Sequence, residues 1–172
     1  MASLRAELQK ITHDGNLANH ARRIAELRAQ VPHSIEILTK PGDNLRYNCI
    51  MHALGVPENT ELIGLVMRCP RSIHPNTRFL KFLKDRGILS PIAQLAAGLV
   101  VTYSNGRGIR HAGRTISELV VESKWGIGHL YRHALMEVPS SYGNKLSYFA
   151  PPDVQAVVGE FIEFARSQGA RV

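Results

Sequence analysis

Residues 98–126 read GLVVTYSNGRGIRHAGRTISELVVESKWG, and the period of this stretch sets the fold class. Three β-rich runs, 98–104, 108–116 and 118–126, are separated by turn signals. Asn105-Gly106 between the first two is a strong hairpin marker. A further run, KLSYF at 145–149, reads as another strand. Upstream the period is helical. In NLANHARRIAELRAQV (16–31), Leu17, Ile24, Leu27 and Val31 fall on one face and Pro32 stops the pattern. NTRFLKFLKDRGIL (76–89) puts Phe79, Leu80, Phe82 and Leu83 at helical spacing, with Gly87 ending it. SIEILTK (34–40) reads as a short strand before the Pro41-Gly42 turn, and HLYRHAL (129–135) reads as helical, with His129 and His133 four apart. A closing helix follows Pro151-Pro152, with Val154, Val157, Val158, Phe161 and Ile162 as its apolar stripe. Helices first and then an antiparallel meander predict an α+β protein.

The chain of 172 residues is sized for a single domain, 1–172. Within it, 1–40 is an N-terminal helical part, 41–150 a core, and 151–172 a C-terminal helix. With 44% hydrophobic and 20% charged residues, the composition is that of an ordinary globular protein. The net charge of +7 favours anionic partners. It is scattered, and only HARR (20–23) and RFLKFLKDR (78–86) are clustered. Two cysteines make no disulfide framework and point to a reducing compartment. MASLRAELQK carries charge and no apolar leader, so the expected location is cytoplasmic, with signal-independent secretion left open. No run is long enough to span a bilayer. No cofactor and no metal is expected.

The chemistry turns on DNLRYNCIMHALGVPENTE, residues 43–61. Asn48 or Asn44 can cap a helix running from Cys49 to Leu54, with Gly55 as its stop. Three readings of Cys49 follow. A free cysteine in an apolar run is commonly a small core residue. Cys49-x-x-His52 with Cys69 and His74 is a weak zinc pattern. The third reading is a nucleophile, because a helix start lowers a thiol pKa. It requires an imidazole as general base and a polar group to hold that ring. His111, between Arg110 and the small pair Ala112-Gly113, supplies the imidazole on a strand, with open space expected around the ring. An antiparallel pairing with the next strand sets 111 against about 122–123, so Glu122 becomes the orienter. Glu122 and Lys124 share a face by alternation. Lys124 or His129 is the substitute orienter.

This order resembles that of papain-like cysteine hydrolases of the NlpC/P60 and CHAP-type branch: a helix-start cysteine, a hairpin histidine, then a polar residue on the adjoining strand. His111-Ala112-Gly113 after Gly98-Leu99-Val100-Val101 is similar to the family's histidine motif. Asn48-Cys49-Ile50-Met51-His52-Ala53-Leu54-Gly55 is similar to its cysteine motif in some bacterial members. Asn48 stands where the commoner dipeptides place Asp or Gln, and Lys124 where an amide is usual. The resemblance implies a papain-like fold, with the cysteine helix packed on a small antiparallel sheet. It implies a thiol hydrolase of the peptidase, amidase or deamidase kind, acting on a peptide or protein amide through Cys49, His111 and Glu122. The backbone N–H of Cys49, with Asn44, Tyr47 or Asn48, would then stabilise the oxyanion. Lys124 and Trp125 would contact substrate, Lys124 through an anionic group. The likeness also suggests the setting of a bacterial effector. The alternative is a basic nucleic-acid or protein binding module on a catalytically inactive papain-like scaffold.

Overall fold

The structure is a computed structural model and describes residues 3–38, 47–126 and 128–172. The strand end at 39–40, the Pro41-Gly42 turn and the Asn44 cap lie outside the described residues. The first elements are α1 (Leu4–Thr12), α2 (Ala18–Gln30) and β1 (Glu36–Ile37). Three helices follow: α3 (Cys49–Ala53), α4 (Thr60–Arg68) and α5 (Thr77–Asp85). The remainder is β2 (Pro91–Ile92), β3 (Val100–Asn105), β4 (Gly108–Thr115), β5 (Val120–Lys124), β6 (Leu130–Ala134), a 3-10 turn at Ser140–Tyr142, β7 (Lys145–Phe149) and α6 (Val154–Ser167). The protein is α+β. Among the described residues it has six α-helices and one seven-stranded antiparallel sheet, ordered β1-β6-β5-β4-β3-β7-β2.

Side-chain caps start every helix but α2. Asn48, Asn59, Asn76 and Asp153 each accept backbone N–H groups from the first turn of α3, α4, α5 and α6. Each such cap contributes about 1 kcal/mol. The pattern at 16–31 and 76–89 yields α2 and α5 as expected. Asn105 pairs with Gly108 across a two-residue loop of Gly106 and Arg107, and the register shifts between Tyr103 and Ser104. Two elements depart from the sequence reading. Residues 130–134 form strand β6, which corrects the helix expected over 129–135. Tyr131 and His133 alternate with Leu130, Arg132 and Ala134 in burial, so the period is two; the spacing of His129 and His133 fits either period. Helix α4 has no counterpart in that reading, although Leu62 and Val66 bury one turn apart behind the Asn59 cap.

The sheet is covered on both sides. Val100, Ala112 and Phe149 point to the side occupied by α3, α4, α5 and α6, in a core with Met51, Leu62, Val66, Phe79, Leu83 and Phe161. Val101, Tyr103 and Val121 point to the other side, beneath Val138, Leu135 and Tyr142. Further along that second side, α1 and α2 close over Trp125 and Tyr131 with Leu8, Ile11, Ile24, Leu27 and Ile35. The central strand β4 is therefore buried on both faces at His111, Ala112 and Gly113.

Gly113 is needed for packing. A Cβ there would lie 2.7 Å from the Glu122 carbonyl oxygen, and 2.8 Å from both the Ser123 Cβ and the Val121 Cγ1. The space expected around His111 is taken up instead: β5 fills it at Gly113, and Tyr142 and Tyr103 close over the ring itself. Gly113→Ala should thus force β4 and β5 apart and lower stability by about 1–3 kcal/mol, measured as a drop in the urea unfolding midpoint. An unchanged midpoint would contradict this packing.

Candidate functional site

Cys49 is the first residue of α3. The Asn48 side-chain oxygen accepts from Ile50 N–H at 2.9 Å and Met51 N–H at 3.0 Å, while its Nδ2 donates to the Pro75 carbonyl at 2.9 Å. Asn48 is thus committed at both ends of its amide to holding the helix start, which leaves the oxyanion role expected of it to other groups. The Cys49 sulfur accepts the backbone N–H of Ala112 on β4, and the N–H groups of Ile50 and Cys49 itself also face it. These donors favour the thiolate. Burial opposes them and is the larger effect, so the thiol is pushed up from its ordinary value. The residue retains part of its surface. A five-residue helix adds little dipole to the local N–H groups.

The other end of α3 is tied to the same strand. Arg114 Nε donates to the Ala53 carbonyl at 3.4 Å, and its Nη1 meets Glu58 at 3.1 Å. Gly55 turns the chain with φ of 75°, and a Cβ there would lie 2.6 Å from Arg114 Nη2. Glycine is required at that stop both for its backbone conformation and for the approach of the guanidinium.

His111 sits one residue from the N–H that the sulfur accepts. Alternation places its ring on the face opposite Ala112, across from Tyr103. The ring is 1% exposed and stacks on Tyr142, with centroids 3.9 Å apart and planes 13° apart. Tyr103 closes its other side at 5.5 Å. Its Nε2 is buried and has no hydrogen-bond partner. Desolvation holds the imidazole well below its ordinary pKa, helped by the nearby His133 and His52. Tyr142 is itself raised chiefly by burial and next by Cys49, which puts the stacking partner of His111 within electrostatic reach of the sulfur.

The expected register between β4 and β5 is corrected. Arg114 lies opposite Glu122, and Thr115 opposite Val121. Glu122 consequently shares the face of Ala112 and Arg114, away from the His111 ring. Its Oε1 accepts from Arg132 Nε at 3.1 Å and Nη2 at 2.8 Å. The structure therefore joins Glu122 to Arg132 and does not bring it to His111. Lys124 does share the face of Glu122. It is fully buried, donates to the Gly128 carbonyl at 2.6 Å, and has its Nζ 4.4 Å from the centre of the Tyr47 ring. Burial lowers its amine to about 8. Tyr47 also stacks on His52, at 6.3 Å.

Trp125 is core: 3% exposed, stacked on Tyr131 at 4.0 Å, with Nε1 donating to Ser123 Oγ at 3.1 Å. That corrects its expected place in a substrate cleft, because the residues after β5 turn under α1 and α2. His129 is held by the Leu17 carbonyl at 3.1 Å, beside His20, and is not an orienter of His111. Asn44 lies outside the described residues. Among those described, no three His, Cys, Asp or Glu side chains converge as metal ligands.

Three further contributors lie around the site: Tyr142, which the sequence reading did not name, and His133 and His52, which it placed in other settings. Tyr142 comes from a 3-10 turn with no periodic signal. His133 reaches the His111 face only through the strand conformation of β6, where it meets Ser123 Oγ at 2.7 Å. His52 follows Cys49 by one helical turn; its Nε2 is buried without a partner. Burial and the charges of Arg114 and Lys124 lower it to about 4.

The chain belongs to the family described as a domain of unknown function (DUF7689), whose model matches residues 38–150. That stretch includes α3, α4, α5 and strands β2 to β7, together with both Cys49 and His111. No curated protein matches the chain, and no solved structure matches it.

The buried imidazoles fix a sign for stability against pH. His52 and His133 are each lowered to about 4, mainly by burial. Unfolded, they titrate near 6.5. Below about pH 6.5 the unfolded chain binds protons that the folded chain refuses, so stability falls as pH falls. Each ring should cost about 3 kcal/mol by pH 4. Urea unfolding between pH 7 and about 4.5 should show this loss, with a shallower slope for His52→Gln. A flat profile would mean that the rings are charged or solvated in the fold.

Proposed function

We propose that this protein is a thiol-dependent amide hydrolase on a papain-like arrangement, with Cys49 as nucleophile and His111 as its proton acceptor. The observation that supports this most is the meeting at β4: the helix-start sulfur accepts the N–H of Ala112, the residue that follows His111, whose Nε2 is buried without a partner. The antiparallel sheet behind α3 agrees with the papain-like reading. Glu122 has no part in this version; stacking between Tyr142 and Tyr103 orients the imidazole in its place.

The electrostatics select the form of the mechanism. A raised thiol beside a lowered imidazole rests as a neutral pair, not as thiolate and imidazolium. Proton transfer then accompanies attack, as for a serine nucleophile. The sulfur bonds to the amide carbon while its proton passes to His111. The tetrahedral oxyanion collapses, the C–N bond breaks, and the leaving amine takes the proton from His111. Water then attacks the thioester, again with His111 as base, and releases the acid and the free thiol. The N–H groups of Cys49, Ile50 and Ala112 stabilise negative charge on the sulfur and beside it. The inactive-scaffold reading draws on the same facts, since the burial that makes the pair neutral also restricts access to His111.

Mass spectrometry of Cys49 with iodoacetamide and with a peptidyl chloromethyl ketone separates the two. In the resting protein, iodoacetamide alkylation should climb with pH and reach no plateau below about pH 9. The substrate-like ketone should label Cys49 at pH 7, and His111→Gln should slow that labelling by about a hundredfold or more. Equal rates in wild type and His111→Gln, at Cys49 rates no greater than those of Cys69, would leave only the scaffold.

A further inference from the structure

A second site lies at the far end of β4, away from Cys49. Thr77, Arg78, Lys81 and Lys84 of α5 face Arg107, Gly108 and Ile109 of the β3–β4 hairpin across a cavity of about 360 Å³. That volume is in the range of small-ligand sites, about 300–1,000 Å³. We propose that this cleft is a nucleotide-binding subsite, with a base against Ile109 and a phosphate among Arg78, Lys81, Lys84 and Arg107.

The fold builds the cleft. Positions 78, 81 and 84 recur every three residues, so they line one ridge of α5. Phe79, Leu80 and Leu83 bury the opposite side of that helix against the core. Arg107 arrives from a hairpin tip, and the register shift between Tyr103 and Ser104 sets how that tip meets α5. Gly108 at the tip has φ of 106° and nothing within 4 Å of its Cβ position, so the floor beside Ile109 stays open.

Charge makes the cleft selective for anions. Lys81 pairs with Asp85, an exposed pair one turn apart that exchanges readily with solvent ions. Among the described residues, Arg78 meets only the neutral amide of Gln168. Lys84 and Arg107 have no carboxylate within ion-pair distance among the described residues. Four cations thus share one carboxylate. Ile109 beneath a cationic rim offers an apolar contact to the ring of a nucleotide whose phosphate the cations hold, a contact that a bare inorganic anion would not use.

The source of that nucleotide is either a free mononucleotide or a single strand, and fluorescence anisotropy with labelled adenosine monophosphate and labelled oligo-dT distinguishes them. Binding of either probe supports the assignment, and the tighter one names the source. For the strand, four phosphate contacts should weaken binding about fiftyfold between about 50 and 200 mM salt. The triple variant K81Q/K84Q/R107Q should lose most of the affinity and about two units of the slope of log affinity against log salt. K10Q/R22Q removes two exposed cations from α1 and α2 and should bind like the wild type. Cys49→Ala should also bind normally, so the outcome is independent of the hydrolase proposal. Circular dichroism melts confirm that each variant is folded. The assignment is overturned if neither probe binds at low salt, if K10Q/R22Q loses as much as the triple variant, or if poly-glutamate binds as tightly as the strand.

Discussion

The short helix α3 depends on β4 at both ends. At its start the Cys49 sulfur takes the Ala112 N–H, and at its stop Arg114 reaches the Ala53 carbonyl and Glu58. Five residues cannot hold a helix in water on their own. The Asn48 oxygen caps the first N–H groups, and the strand ties down the rest: its Ala112 N–H holds the Cys49 side chain, and its Arg114 sets a cation near the exposed carbonyls at the other end. Two glycines admit this. Gly55 lets the guanidinium pass, and Gly113 lets β5 press against β4. The position of the sulfur is therefore set by the sheet more than by its own helix.

Burial then decides the electrostatics. Three backbone N–H groups face the sulfur and favour negative charge there, yet desolvation outweighs them and the thiol is raised. The same desolvation keeps His111, His52 and His133 neutral. Lys124 is shifted the same way, its amine lowered to about 8 with a carbonyl and an aromatic face for company. Each of these groups is held in a less charged state than water would give it. A site assembled this way gains charge only when something replaces the missing solvent, as an entering amide would for the sulfur under the proposed hydrolysis.

Much of this was legible in the sequence, and the parts that were not have physical reasons. Helices α2, α5 and α6 and strands β3, β4, β5 and β7 follow from period and from turn residues. Asn48 as cap and Gly55 as stop follow from their local chemistry. The register between β4 and β5 did not follow: a shift of a few residues along a strand changes no local preference, and Gly113 fixes it through a contact with Glu122 and Ser123 that lie near it only in space. That shift moves Glu122 to Arg132. Strand β6 was read as helix because two histidines four apart satisfy both periods when Tyr131 between them is not weighed as a core residue. Tyr142 was beyond reach, since a 3-10 turn leaves no pattern and its role is to cover a ring thirty-one positions earlier.

One strand serves both candidate sites. β4 begins at the hairpin tip beside Arg107, carries His111 in its middle and ends at Arg114 under α3. Its backbone is paired to β3 along nearly its whole length, whereas β5 pairs with it only at 114–115. Between those limits the β5 side of β4 is free to receive the sulfur, which is why Ala112 N–H is available to Cys49 at all. The early parting of β4 and β5 is thus the condition for the site: were the two strands zipped down to 111, that N–H would be spent on the ladder and α3 would have nowhere to dock.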